Sequence, residues 1–163
     1  MNLLALWLIS SVYASPVEQT LGWDLSVDGQ PFGHRSLKIK FVPSGGEMLR
    51  ILESWTELEG SVGPVEVRYR QRLTAHAAND PASFHAVVDQ NGSPSEVQGR
   101  YTVNGWWVTV ADAGRSRTVD VDVNRIDLST ADLVDPESRV ALSRFEKIRL
   151  LSAETGDVWE GIV

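Results

Sequence analysis

The feature that most constrains this chain is an alternation of apolar and polar residues with a period of two. It is clearest over residues 23–27, 37–41 and 65–70. Turn signals interrupt it about every 8–12 residues, a spacing typical of short antiparallel strands. The pattern therefore predicts an all-β, mainly antiparallel fold, a single curved meander of about ten strands. Such a meander curls into a barrel, a half-barrel or a sandwich, of which the barrel and half-barrel are the forms we expect.

Three further stretches carry structural signals besides this alternation. Residues 47–58 also fit a helical period, but the strand patterns on both sides favour a strand. Near residues 129–142 the alternation lapses, and Asp135-Pro136-Glu137 has the chemistry of a helix start. We expect a short helical segment there, crossing an open end or the concave face of the sheet. Residues 147–163 are predicted to close the chain as a hairpin around Thr155-Gly156-Asp157.

The N-terminus predicts export. Residues 3–12 form an apolar run, and Val12 and Ala14 stand at −3 and −1 before Ser15. This is the layout of a secretory signal peptide, so we expect residues 1–14 to be removed and the protein to be periplasmic or secreted. The alternative is a buried N-terminal helix or strand. The run is too short for a membrane-spanning helix, so no membrane span is expected in the mature chain.

Length and composition fit one domain, residues 15–163. The chain has 163 residues, is 42% hydrophobic and carries 22 acidic against 15 basic residues, a net charge of −7. That balance lacks the basic footprint of a phosphate-backbone binder, so no nucleic-acid partner is expected. The chain has no cysteine, which excludes disulfides, thiolate metal sites and a cysteine nucleophile. Catalytic and nucleotide-binding motifs are missing from the sequence, so no cofactor is expected.

One acidic stretch has the opening of a calcium-binding loop. Asp120, Asp122 and Asn124 match the first three ligand positions of that motif. Arg125 stands where the loop needs glycine, and Ala131 where it needs a bidentate glutamate. The stretch is therefore predicted to be a solvated strand face, and no metal site is expected.

The three histidines are His34, His76 and His85, and their spacing matches no metal motif. Exposed surface positions are the main interpretation. The alternative is that separate strands bring them together in a site.

A row of arginines forms another candidate binding site. Arg68, Arg70 and Arg72 share one face of a strand, as Asp120 and Asp122 share a face of another. If these strands are neighbours, arginine–carboxylate pairs form across them. If they are not, the arginines form a cationic stripe able to bind a carboxylate or phosphate.

The aromatic residues form a further candidate binding site. Trp106 and Trp107 are adjacent, so they point to opposite faces of a strand. One of them fills the core, and the other lies on the outer face or lines a cavity. The alternative to a ligand pocket is that these tryptophans only pack in the core and on the surface. The residues predicted to contact a ligand are Trp23, Tyr69, Trp106, Trp107, Arg68 and Arg70.

The sequence resembles a known group of proteins at both ends of the predicted domain. The opening Trp23-x-Leu25-x-Val27-Asp28-Gly29-x-x-x-Gly33-His34 and the closing Leu151-x-x-x-Thr155-Gly156 are similar to those of uncharacterised bacterial periplasmic domains. Those domains resemble in turn the lipoprotein-carrier half-barrels. The resemblance implies a curved antiparallel sheet with helices in its hollow, and it brings no catalytic residues. The long helical lid of those carriers is shortened here to residues 129–142.

The prediction for function follows from the apolar face of the meander. Burying one Val, Leu or Phe side chain contributes about 1.5–3 kcal/mol, so this face needs a cover. The segment 129–142 is too short to cover all of it, which leaves a partly open groove. We therefore expect an exported, non-catalytic domain that binds an apolar small molecule or a partner protein's segment in the concave face. The alternatives are a small β-barrel enzyme using Arg, His and Asp from separate strands, and a purely structural envelope protein.

Overall fold

The computed structural model describes residues 18–77, 81–134 and 145–162. Eight strands pair in chain order in one antiparallel sheet, with β1 and β8 at its two edges. The predicted all-β antiparallel meander is thus confirmed, and it is open rather than closed. The strands are β1 (Glu18–Val27), β2 (Gln30–Ser44), β3 (Glu47–Val62), β4 (Val65–Ala77), β5 (Pro81–Gln90), β6 (Ser93–Thr102), β7 (Gly105–Asp112) and β8 (Arg115–Asp122).

The rest of the described chain forms a second, smaller sheet. Its strands are β9 (Leu128–Ser129), β10 (Lys147–Leu151) and β11 (Val158–Ile162). β10 pairs antiparallel with β11 and parallel with β9. The predicted C-terminal hairpin is therefore present, but it belongs to this separate three-stranded sheet instead of extending the meander.

Two short 3-10 turns flank β9, at Val123–Arg125 and Asp132–Val134. The second is the described part of the helical segment predicted near residues 129–142. Residues 135–144 lie outside the described residues, and so does the predicted signal peptide, residues 1–14. Within the described residues, no helix has the length and apolar character needed to cross a membrane.

The stretch 47–58, which also fits a helical period, is a strand. It lies within β3, which pairs with β2 along one side and β4 along the other. Its buried residues Leu52, Ser54 and Thr56 are two apart, as on one face of a strand. The backbone hydrogen bonds of both neighbouring strands outweigh the helical spacing of its leucines.

The hairpin turns contain the residues that tight turns require. Asp28 and Gly29 have φ of 49° and 78°, and Asn91 and Gly92 have φ of 54° and 81°. Two successive positive φ angles match the right-handed twist of the flanking strands, and Asn, Asp and Gly tolerate them best. Gly92 N–H also donates to Asp89 Oδ1 at 2.8 Å. These turns set the register that places apolar residues on one face.

That apolar face, here called the inner face, is covered by the C-terminal segment. Residues 126–134 and 145–162 are called the C-terminal cover. Ala131, Val134, Leu151 and Ala153 of the cover share one core with the sheet. Gly156 lies so close to β7 that an added Cβ would be 2.7 Å from Val110 Cγ2. The sheet residues in this core include Leu37, Ile39, Leu52, Leu73, Phe84, Val97, Trp106, Val108 and Val121.

Candidate functional site

Part of the inner face is apolar yet lies outside the core. Leu25 pairs with Gly33, Gly33 with Leu58, and Leu58 with Tyr69, so these residues form one row across β1 to β4. Trp23 stands two residues along β1 from Leu25, on the same face, and is 37% exposed. The other large side chains of the row are half-buried. We call Trp23, Leu25, Leu58 and Tyr69 the apolar shelf.

A bulge in the first hairpin shapes one end of the shelf. The register shifts between Leu25 and Ser26, whose partners are Gly33 and Pro31, so Phe32 is the extra residue. Its ring packs against β3, where a Cβ on Gly60 would lie 2.8 Å from Phe32 Cδ2. Phe32 therefore bounds the shelf at the hairpin end.

A polar row lies between the shelf and the core. Trp23 pairs with Arg35, Arg35 with Thr56, and Thr56 with Gln71. Arg35 is half-buried, and its Nε donates to Ser54 Oγ at 3.3 Å. Thr56 is 8% exposed, and its buried Oγ1 has no hydrogen-bond partner in the described part of the chain.

Glu154, a residue of the cover, links the polar row to the rest of the cover. Its Oε1 accepts from Gln71 Nε2 at 2.8 Å. Its Oε2 accepts from Thr130 Oγ1 at 2.8 Å and from Ser152 Oγ at 3.0 Å. Three neutral donors therefore hold this carboxylate.

Tyr69 lies where the shelf, the polar row and the cover meet. Burial raises the pKa of Tyr69 to about 12, the Glu154 carboxylate adds to the rise, and Arg35 opposes it. At neutral pH the side chain is therefore an uncharged phenol, able to donate and accept hydrogen bonds.

The six predicted ligand-contact residues do not form one cluster. Trp23 and Tyr69 are part of the shelf. Trp106 lies on the inner face but inside the core, 6% exposed, with its ring centroid 5.2 Å from that of Phe84. Trp107 lies on the opposite, outer face, as do Arg68 and Arg70 of β4.

The arginine row of β4 is paired with its neighbouring strand. Arg68 Nη2 lies 3.0 Å from Glu59 Oε1, and Arg70 Nε lies 2.9 Å from Glu57 Oε1, both of β3. The pairing with Asp120 and Asp122 of β8, which was expected if the two strands were neighbours, does not occur, because β5, β6 and β7 separate them. These two arginines do not form an unpaired cationic stripe either. Arg72 lies over the ring of Trp55, 5.1 Å from its centroid.

The outer face also has a shallow pocket of about 470 Å³ beside Trp107, which is 47% exposed. Two of the three histidines line it. His85 Nε2 lies 2.9 Å from Glu96 Oε1, and the pKa of Glu96 is lowered by hydrogen bonds from Gln98 and from His85. The pocket lining is Thr74, His76, Ser83, Phe84, His85, Gln98, Gly99, Arg100 and Trp107.

The aspartates of the calcium-like stretch lie on the exposed face of β8, as predicted for a strand. Asp122 Oδ1 accepts from the backbone N–H of Asn124 at 2.7 Å. Across residues 18–77, 81–134 and 145–162, no three His, Cys, Asp or Glu side chains come together as a metal site.

Sequence reasoning missed three residues of this region: Arg35, Leu58 and Glu154. Arg35 alternates with Leu37, so the period of two was a usable signal for its inward position. Leu58 lay in the stretch that also fits a helix. No local pattern marked Glu154, which comes from a turn and reaches the sheet only in the folded protein.

The fold and this region define the class of molecule: an open antiparallel β-domain with a half-buried apolar shelf beside a polar row. No known protein family, curated protein or solved structure matches the chain.

Proposed function

We propose that this protein is a non-catalytic binding domain that takes an apolar small molecule or an apolar segment of a partner protein on the shelf. The observation that carries the proposal is that Trp23, Leu25, Leu58 and Tyr69 lie on the inner face yet outside the core. Their partly exposed apolar surface would be stabilised by a ligand, at roughly 25 cal/mol per Å² removed from water.

The chemistry of the inner face supports binding over catalysis. His34, His76 and His85 are all on the outer face, so none of them serves as an acid or base beside the shelf. The phenol of Tyr69 has a pKa of about 12, well above the range suited to a general base at neutral pH. This arrangement does not favour the alternative enzyme, which needs Arg, His and Asp together in the hollow.

The proposal includes export, since the N-terminal apolar run and Ala14 match a signal peptide. Mass spectrometry of protein from the native host is expected to find a mature N-terminus at Ser15. Recovery of an intact Met1 from the cytosol would contradict export without affecting the binding proposal.

A dye titration tests the binding. A hydrophobic dye that fluoresces in apolar surroundings is titrated into the folded protein, and we expect saturable binding with one dye per chain. Leu58→Gln is expected to weaken it about tenfold, because a polar amide replaces half-buried apolar surface in the middle of the shelf.

Val87→Gln is the matched control, because Val87 is 43% exposed on the outer face of β5. It is expected to leave dye binding unchanged. Absence of saturable binding in the wild type, or equal weakening by both substitutions, would contradict the proposal and leave a structural role.

A further inference from the structure

We propose that the pocket beside Trp107 on the outer face binds an acidic sugar, a pyranose ring that carries an ionised carboxylate. The shelf lies on the inner face, so this second site does not depend on the proposed function. In the proposed complex Trp107 packs against the sugar ring, Arg100 binds the carboxylate, and polar side chains of the pocket lining bind the hydroxyl groups.

Trp107 offers an aromatic surface to a ligand. Its side chain is 47% exposed, although Trp106, its neighbour in the sequence, is buried in the core. A large aromatic side chain left partly in water lacks the stabilisation that burial provides, and a ligand that covers it restores part of that stabilisation. One face of a pyranose ring carries mainly C–H bonds, and this face packs well against a flat indole ring.

Arg100 lies directly beside this tryptophan. The two residues are cross-strand partners of β6 and β7, and their side chains share the outer face. Arg100 is exposed, and its side chain makes no hydrogen bond or ion pair with any described residue. A planar guanidinium matches the two oxygens of a carboxylate. Arg100 is therefore the group that selects an acidic ligand.

The charges around the tryptophan set the orientation of the ligand. Asp120 of β8 is the cross-strand partner of Trp107 on the side away from Arg100. Its carboxylate repels an anion, so the acidic group of the ligand points towards β6. None of the described residues that line the pocket is acidic. Because the chain has a net charge of −7, it does not attract anions non-specifically, and binding one requires a local cation.

Uncharged polar groups of the lining suit the hydroxyl groups of a sugar. Gln98 Nε2 donates to Glu96 Oε1 at 2.8 Å, which leaves the Gln98 carbonyl oxygen as an acceptor. Thr74 is half-buried, and its hydroxyl has no hydrogen-bond partner in the part of the chain that the structure describes. His76 Nδ1 and Ser83 Oγ are 3.5 Å apart, a weak contact that a ligand hydroxyl can replace. An aromatic acid uses few of these groups, whereas a sugar uses them together with the indole.

Calorimetric titration with two matched probes tests the inference. Trigalacturonic acid and its trimethyl ester have the same sugar rings, and only the acid is charged at neutral pH. We expect the acid to bind saturably and about tenfold more tightly than the ester, because the ester cannot form a hydrogen bond between two charged groups. Arg100→Gln is expected to remove this difference by weakening the acid alone. Trp107→Ala is expected to weaken both probes about tenfold.

Two substitutions outside the pocket are the controls. Arg68→Gln removes a positive charge from the same outer face, and Trp159→Ala removes a tryptophan that is 62% exposed on β11. Both are expected to leave the two affinities unchanged. Absence of saturable binding of the acid by the wild type, or a preference for the acid that survives Arg100→Gln, overturns the inference. Equal weakening by Arg68→Gln and Arg100→Gln also overturns it, because the attraction is then non-specific.

A third probe separates a sugar from an aromatic acid. The probe is 2-naphthoate, which has a carboxylate and a flat apolar ring but no hydroxyl group. Thr74→Val is expected to weaken trigalacturonate about threefold, through the loss of one hydrogen bond, and to leave 2-naphthoate unchanged. Tighter binding of 2-naphthoate than of trigalacturonate overturns the sugar and assigns the pocket to an aromatic acid. The dye titration of the shelf is independent of all these outcomes.

Discussion

At Gly33, in the first hairpin, the neighbouring backbone leaves no space for a side chain. An added Cβ would lie 2.0 Å from the carbonyl oxygen of Glu57 and 2.9 Å from Leu58 Cα. Backbone atoms of a paired strand cannot move aside as a flexible side chain can. Gly22 of β1, in contrast, has no atom within 4 Å of such a Cβ.

Gly33→Ala is therefore expected to destabilise the domain by about 1–3 kcal/mol, because β2 and β3 must separate to admit the methyl group. Gly22→Ala should be neutral or stabilising by about 0.5–1 kcal/mol, because alanine loses less entropy on folding. Denaturant unfolding of the two variants measures both effects. Similar stability of the two variants would contradict the close approach at Gly33.

Tyr69 is a second single residue with an expected effect on stability, in this case one that depends on pH. The pKa of Tyr69 in the folded protein, about 12, is above its ordinary value of 10, so the folded state holds the proton more tightly. Its contribution to stability is present below pH 10 and is lost as the pH rises from 10 to 12. Unfolding free energies measured across this range should fall more for the wild type than for Tyr69→Phe. Parallel curves would contradict the burial of the phenol.

Among the elements, the C-terminal cover is held by polar attachments as well as by its core residues, and two of these attachments involve the carboxylates of Glu154 and Asp127. Glu154 links it to β4 of the sheet. Within the cover, Asp127 and Arg149 connect the segment before β9 to β10, with Asp127 Oδ1 2.9 Å from Arg149 Nη2 and Asp127 Oδ2 accepting from Arg149 N–H at 2.8 Å. Because the cover and the sheet share one core, loss of either attachment is expected to destabilise the whole domain.

Glu154→Gln is expected to cost about 1–3 kcal/mol of unfolding free energy, because an amide NH₂ replaces one acceptor oxygen and faces a donor. Glu146→Gln is the control, as Glu146 is exposed. Denaturant unfolding of both variants is the measurement. An unchanged midpoint for Glu154→Gln would show that the three hydrogen bonds add little to stability.

The ion pair between Asp127 and Arg149 predicts that the stability of the domain depends on pH in the acid range. Hydrogen bonds from Arg149 hold the pKa of Asp127 below its ordinary value of 3.8. Because the folded pKa is the lower one, the stabilisation is present above pH 3.8 and is lost as the pH falls through the folded pKa. The protection of the β10 amides against hydrogen exchange should therefore fall in acid more in the wild type than in Asp127→Asn. The same acid response in both proteins would rule out this ion pair as its source.

Considered as a whole, the molecule has one core shared by two sheets. Leu151 of β10 is fully buried together with Leu37, Leu73 and Val97 of the large sheet. Removing the cover would expose much of the inner face. The two sheets are therefore expected to unfold as one cooperative unit.

Leu151→Ala tests this cooperativity. It is expected to destabilise the domain by about 2–5 kcal/mol, because it leaves a cavity in the shared core. Hydrogen exchange of the slowest amides of β10 and of β7 should give equal opening free energies, lowered equally in the variant. A lower value for β10 alone would show that the cover opens separately from the sheet.

The sequence was sufficient for what depends on neighbouring residues. Alternation of period two predicted the strands, because successive side chains of a strand face opposite sides. The turn signals between the strands, which include Asp28-Gly29 and Asn91-Gly92, indicated where the chain reverses, because Asn, Asp and Gly tolerate positive φ. The all-β meander and the inward position of Trp23 and Tyr69 follow from these local rules.

Contacts between residues distant in the sequence were decided only by the tertiary structure. The alternation of period two places Arg70 on one face of β4 but does not identify its partner. That partner is Glu57 of β3, not an aspartate of β8. The turn that contains Glu154 carries no signal that it reaches Gln71, 83 residues away. Such contacts depend on which strands are neighbours and on where the chain folds back over the sheet. For that reason the shelf, which is the part of the inner face left outside the core, was visible only in the folded molecule.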